Sequence, residues 1–307
     1  MEELIGSHDP KDITSLNLSW RRIPTLPLEI GQLVNLQVLN LGENCLTSIP
    51  AEIGELVNLR KLVLIFNKLA SLPPEIGQLV NLQELYFSSN HLTSVPAEIG
   101  QLRNLKILSL DSNDLTSVSP KIGQLVNLKN LSLEFNKLTS LPAELGQLVN
   151  LKTLSLDSNY LTTIPAELGK LANLEELSLD TNRLTSIPAG IGQLVNLQKI
   201  WLSHNQLTTL PPEFSQLVKL RGLLLHNSGL TSLPPELNRL DKLGYLTYGN
   251  NTYGIPRNKK TIIYAMRLRN VIISSSKSYV VDIVPTQRAR RRKITMLAVE
   301  ASACFSH

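Results

Sequence analysis

Leucine and isoleucine recur along this chain in one pattern, L-x-x-L-x-L-x-x-N-x-L-x-x-L-P, at a period of 23 residues. With the second leucine as marker, the units fall at Leu16, Leu39, Leu62, Leu85, Leu108, Leu131, Leu154, Leu177, Ile200, Leu223 and Leu246, eleven in all with no insertion between markers. In Leu62-Val63-Leu64-Ile65, alternation at period two puts the leucines on one face of a short strand and Val63 and Ile65 on the other. One strand and one turn cannot bury that leucine face alone. Successive units must stack, each closing its neighbour's core, with the strands in a parallel sheet.

Five places after the marker stands an asparagine in nine units: Asn44, Asn67, Asn90, Asn113, Asn136, Asn159, Asn182, Asn205 and Asn251. The chain leaves the strand there and turns inward, so an amide with both donors and an acceptor can satisfy backbone groups that would otherwise be orphaned. A stacked asparagine ladder is expected, weakened at Ser228 unless Asn227 substitutes. The second half of each unit, as in Pro50-Ala51-Glu52-Ile53-Gly54, opens on a proline and meets a glycine four residues later, which leaves room for one 3₁₀ or helical turn. The periodic glycines read as turn makers, the glutamates two places after each proline as partners of the turn dipole, and the late Pro120 as a point of local strain. The fold class is α/β: a right-handed β-α superhelix with a concave parallel sheet of about eleven strands and short turns on its convex side.

The repeated tail, seen in Leu72-Pro73-Pro74-Glu75-Ile76-Gly77-Gln78-Leu79-Val80-Asn81-Leu82, resembles the Ras-group intracellular leucine-rich-repeat proteins and similar plant, protist, bacterial and viral arrays. The closing stretch Gly249-Asn250-Asn251-Thr252-Tyr253-Gly254-Ile255-Pro256, then Ile262-Ile263-Tyr264, is similar to that group's last unit, with Thr252 in place of a proline and one residue fewer before Ile255. The resemblance implies a non-enzymatic scaffold for protein binding in intracellular signalling, with a small GTPase among the partners it suggests. The organisation expected is an N-terminal segment at 1–12, the array at 13–256, a capping helix at 257–273 and a flexible basic tail at 274–307.

With the leucines inward, the residues before the marker and one, three and four places after it face solvent, and a function grafted on this fold belongs there. Val63, Ile65, Phe66 and Tyr86 form one apolar patch, and Trp201, His204, Leu224 and His226 another, as interface anchors do. Between them Asp111, Glu134, Asp157 and Asp180 occupy equivalent places on four consecutive rungs about 4.8 Å apart. Their mutual repulsion, roughly 2–3 kcal/mol in total, would be relieved by a protein partner with a basic surface.

Composition narrows the remaining classes. The chain has 307 residues, 42% hydrophobic and 18% charged, with two cysteines, Cys45 and Cys304, too few for a disulfide framework. Met1–Asp12 lacks the basic and apolar regions of a secretory signal, so a cytoplasmic, monomeric protein is expected. Phosphate-loop, zinc-protease and nucleophile-elbow motifs are absent, no metal or cofactor is expected, and the residues after the array are too few for the catalytic cysteine domain of a ubiquitin-ligase effector. The net charge of +5 divides unevenly. Residues 257–307 hold 11 Lys and Arg against 2 Asp and Glu, or +9, which leaves −4 on residues 1–256. The run Arg288-Ala289-Arg290-Arg291-Arg292-Lys293 supports nuclear import or nucleic-acid contact, an anionic-membrane tether, or docking on the acidic row, besides a solvated tail with no role. Cys304, fourth from the end, stands at a prenylation position, although Ser306 and His307 do not match that motif well.

Overall fold

The computed structural model describes residues 9–249, residue 251 and the strand 272–274. Two compact units divide the chain, residues 1–277 and 278–307, the second lying outside the described residues. Among the described residues, twelve three-residue strands run parallel in one sheet in chain order. They are β1 (Ser15–Asn17), β2 (Val38–Asn40), β3 (Lys61–Val63), β4 (Glu84–Tyr86), β5 (Ile107–Ser109), β6 (Asn130–Ser132), β7 (Thr153–Ser155), β8 (Glu176–Ser178), β9 (Lys199–Trp201), β10 (Gly222–Leu224), β11 (Tyr245–Thr247) and β12 (Ile272–Ser274). Marker pairs with marker, Leu39 with Leu62 and Leu131 with Leu154, so the register is the sequence period itself. The expected helix at 257–273 lies outside the described residues except at its end, where Ile272 and Ile273 belong instead to a strand paired with β11. Arg288–Lys293 and Cys304 also lie outside them.

Among the described residues, ten five-residue 3₁₀ turns form the opposite side, from Leu28–Gln32 to Pro235–Arg239. The core between sheet and turns is mostly leucine with isoleucine, and Phe87 and Phe214 fill two of the aliphatic places. Proline precedes each turn except at Ser119, whose hydroxyl accepts from Lys121 N at 3.3 Å. The late Pro120 is therefore the first residue of a side-chain-capped turn, and no strain needs to be invoked.

The periodic glycines also need a different explanation. Their φ angles lie outside the left-handed range, and among the described glycines only Gly229 turns that way, at φ 82°. A methyl on Gly146 would stand 2.3 Å from Glu167 O, and one on Gly169 2.2 Å from Gly190 O. These positions exclude side chains because consecutive turns stack backbone against backbone.

The asparagines five places after the markers form hydrogen bonds between rungs. Asn159 accepts from Leu138 N at 3.0 Å and donates to Leu133 O at 2.9 Å, Leu156 O at 3.1 Å and Asp157 O at 3.2 Å, tying two adjacent rungs together. At Ser228 the hydroxyl reaches only Leu225 O. Asn227 does not substitute, since it is exposed with its amide 3.0 Å from His204 Nδ1. A second ladder runs along the exposed edge that leads into the strands: Asn81 donates to Val57 O at 2.8 Å, Asn150 to Val126 O at 2.9 Å and Asn196 to Ala172 O at 2.7 Å.

Candidate binding face

Position by position, the sheet face follows the alternation of the strands. Val63, Ile65, Tyr86, Trp201 and Leu224 are half-buried, while Phe66 and His204 are exposed. His226 departs from its expected place: only 7% exposed, it packs edge-on against His204 with ring centroids 5.6 Å apart. Ser203 and Thr247 are buried as well. The C-side patch is thus narrower than alternation alone implies, and His226 belongs to its support, not to its surface.

Each patch carries an aromatic ring with one of the protein's own lysines above it. Lys61 Nζ lies 5.0 Å from the Tyr86 ring centroid and 2.9 Å from Glu84 Oε2, and the Tyr86 hydroxyl donates to the same oxygen at 3.2 Å. The Glu84 hydrogen bond raises the Lys61 pKa. Tyr86 is raised by burial first and by the Glu84 charge second. On the other side Lys199 Nζ stands 6.0 Å from the Trp201 centroid and 3.3 Å from Glu176 Oε1. Both arrangements place an ammonium between a carboxylate and a ring.

The carboxylate row lies between them, embedded in serine hydroxyls. Asp111 Oδ1 accepts from Ser109 at 2.6 Å, Ser88 at 2.7 Å and Ser132 at 3.3 Å. Asp157 takes the Ser178 hydroxyl on its two oxygens, at 2.5 and 2.6 Å, and Asp180 N at 2.7 Å. Asp180 accepts from Ser203 N at 2.6 Å. Burial is the largest cause raising the pKa of Glu134, Asp157 and Asp180, with the Asp157 charge second for Glu134 and Asp180. Asp180 is pushed up to about 7. The row was expected to be governed by mutual repulsion. Desolvation on the sheet outweighs that repulsion. Glu134, Asp157, Glu176 and Asp180, with Ser155, Ser178 and Trp201, line a hollow of about 330 Å³ on β6–β9, with Leu154 in its lining.

A consequence for stability follows from the sign of the Asp180 shift. A carboxyl whose folded pKa lies above its unfolded value binds the proton more tightly in the fold, so its stabilisation is full below about pH 4 and is lost as pH climbs through about 7. Asp180→Asn, which keeps an oxygen for Ser203 N, is expected to raise the unfolding free energy at pH 8 by about 2 kcal/mol and to leave it unchanged at pH 4. Urea melts of both proteins at the two pH values check this, and an equal difference at both would refute it.

Comparison with known families agrees with the architecture. Residues 34–77 match the family model of leucine-rich repeats in two copies, 57–115 and 196–217 two further leucine-rich-repeat models, and 116–206 one described as a leucine-rich repeat region. The chain belongs to the leucine-rich-repeat family. Solved structures extend the likeness. This leucine-rich-repeat chain is 33% identical to a Leptospira interrogans leucine-rich-repeat protein, over 87% of this chain and 96% of that one, with a TM-score of 0.43. It is 32% identical to the plant peptide hormone receptor RGFR1 in complex with RGF2, over 82% of this chain, with a TM-score of 0.69. It spans 46% of that receptor chain. An internalin of Listeria monocytogenes, 21% identical over 90% of this chain and 88% of its own, has the same fold at a TM-score of 0.63. No curated protein matches.

Two features of the face were not anticipated from the repeats. Phe135, left-handed at φ 51° and 58% exposed, flanks the acidic row in the same lane as Phe66 and His204, and that lane was the available signal. The same place is left-handed in ten consecutive units, from Trp20 to Asn227, so the fold sets that backbone angle and the residue that fills it is free to vary. The other is the Ser109, Ser132, Ser155, Ser178 lane, which reads as polar filler and in fact supplies hydroxyls to the row.

Proposed function

We propose that this array is a non-enzymatic interaction module, a monomeric cytoplasmic scaffold in signalling, that holds a protein partner with a basic surface against its concave face. The observation that carries the reading is the half-buried carboxylate row between two aromatic patches on a rigid sheet. Such a surface is already ordered before binding, so association loses little conformational entropy. A basic partner gains attraction to the row in an environment partly shielded from water. RGFR1, a similar structure, was solved in complex with RGF2, which supports a polypeptide ligand. The cytoplasmic setting rests on a sequence with only two cysteines. A small GTPase is the candidate that the Ras-group resemblance adds.

Proximity labelling in cells with the wild type and with a Trp201→Ala, Ile65→Ala variant tests the reading. The wild-type partner set is expected to fall at least tenfold in the variant at equal expression, and purified partners should bind more weakly as salt rises. An unchanged labelling pattern would remove the concave face from consideration.

A further inference from the structure

Resting on that reading, the geometry points to one subsite: the hollow on β6–β9 receives a single lysine or arginine side chain of a polypeptide partner, held between the Asp157 and Asp180 carboxylates and the Trp201 ring. Three observations converge on it.

The first is charge. Four carboxylates, Glu134, Asp157, Glu176 and Asp180, line the hollow with no cationic side chain among its lining residues. Lys199 pairs with Glu176 at 3.3 Å and neutralises one of the four. The surplus is negative and partly desolvated, so an entering cation meets a stronger field than it would over exposed acids.

The second is size and shape. About 330 Å³ lies at the small end of ligand clefts, suited to one side chain and not to a folded element. The Trp201 ring is part of the lining, which suits the aliphatic stem of lysine or arginine as the carboxylates suit its head.

The third is an internal precedent. Twice on this same face an ammonium already sits between a carboxylate and an aromatic ring, Lys61 with Glu84 and Tyr86, and Lys199 with Glu176 and Trp201. The hollow offers the same pair of groups, carboxylates and the Trp201 ring in one lining, to a cation from outside. Ser178 and the Asp180 and Ser203 amides hold the two aspartates in place.

The test uses the full chain with Trp20→Phe, so that Trp201 is the one fluorescent indole, titrated with acetyl-Gly-Arg-Gly-amide and with its citrulline counterpart, which has the same shape without the charge. A saturable change in Trp201 emission is expected with arginine at pH 8, with at least tenfold weaker binding of citrulline. Asp157→Asn with Asp180→Asn should shift the arginine midpoint at least tenfold. Glu134→Gln, on the neighbouring rung, should shift it about threefold, and it serves as the test if the double variant does not fold. Equal midpoints for arginine and citrulline, or an arginine midpoint unmoved by the substitutions, overturn the assignment. If the arginine peptide fails while Trp201→Ala still abolishes partner labelling, the subsite is wrong and the concave-face reading stands.

Discussion

Asn159→Ala is expected to lower the unfolding free energy by about 3–5 kcal/mol. The amide is buried at 3% exposure and joins Leu138 N, Leu133 O, Leu156 O and Asp157 O. Alanine removes all four bonds and leaves a backbone N–H and carbonyls without water to replace the amide, at about 1–3 kcal/mol for each buried group so stranded. The expected response is not only a lower urea midpoint. Each repeat in a solenoid touches only its neighbours, so weakening the seam between rungs should also let the two halves unfold at different urea concentrations and reduce the apparent m-value. Asn150→Ala is the paired control. Its amide belongs to the exposed ladder and makes one bond, to Val126 O at 2.9 Å, which water can replace. A loss of about 1 kcal/mol or less is expected there. Equal losses at the two asparagines would contradict the distinction between the ladders.

Gly146→Ala is expected to destabilise by about 2–3 kcal/mol, the upper part of the range for overpacking, even though alanine favours helical turns by about 1 kcal/mol over glycine. The added methyl would sit 2.3 Å from Glu167 O and 3.0 Å from Glu167 Cβ on the next turn, and a backbone carbonyl cannot rotate aside. Relief requires separating two stacked turns, and with them the leucines they cover. Gly244→Ala, whose methyl meets only Arg221 O at 3.5 Å, should stay within about 0.5 kcal/mol of the wild type. Thermal melts of the two variants decide between steric exclusion and turn conformation. If Gly146→Ala is as stable as the wild type, stacking is not what holds glycine at that place in the eight units from Gly31 to Gly192.

The repeat made the architecture readable before any coordinate. Leu62 and Leu64 could only be core, and the marker-to-marker pairing of β1–β11 follows from equal unit lengths. The lanes of the candidate face were legible for the same reason, since an odd offset from a buried marker points outward on a strand. Reasons were harder to read than positions. Gly146 and Gly169 recur with the period whether they serve turn angles or close stacking, and only the distance to the next turn separates the two. The asparagine before each strand, Asn81 or Asn150, repeats as regularly as the buried one, yet its partner is a carbonyl 24 residues away, on the neighbouring turn. His226 sits in a solvent lane by count and is buried in fact, because alternation sets direction and not what a neighbour such as His204 lays across it.

By itself, then, the sequence determined the period, the register, the inward leucines and the order of charges along the face, all of which are local spacing repeated. The tertiary structure alone decided how deep those charges lie. Asp111, Glu134, Asp157 and Asp180 are one letter class at one spacing, yet three serine hydroxyls surround Asp111 while Asp180 is desolvated until its pKa reaches about 7. Solvation depends on every atom brought near a carboxylate from adjacent rungs, and that sum forms only when the rungs are stacked.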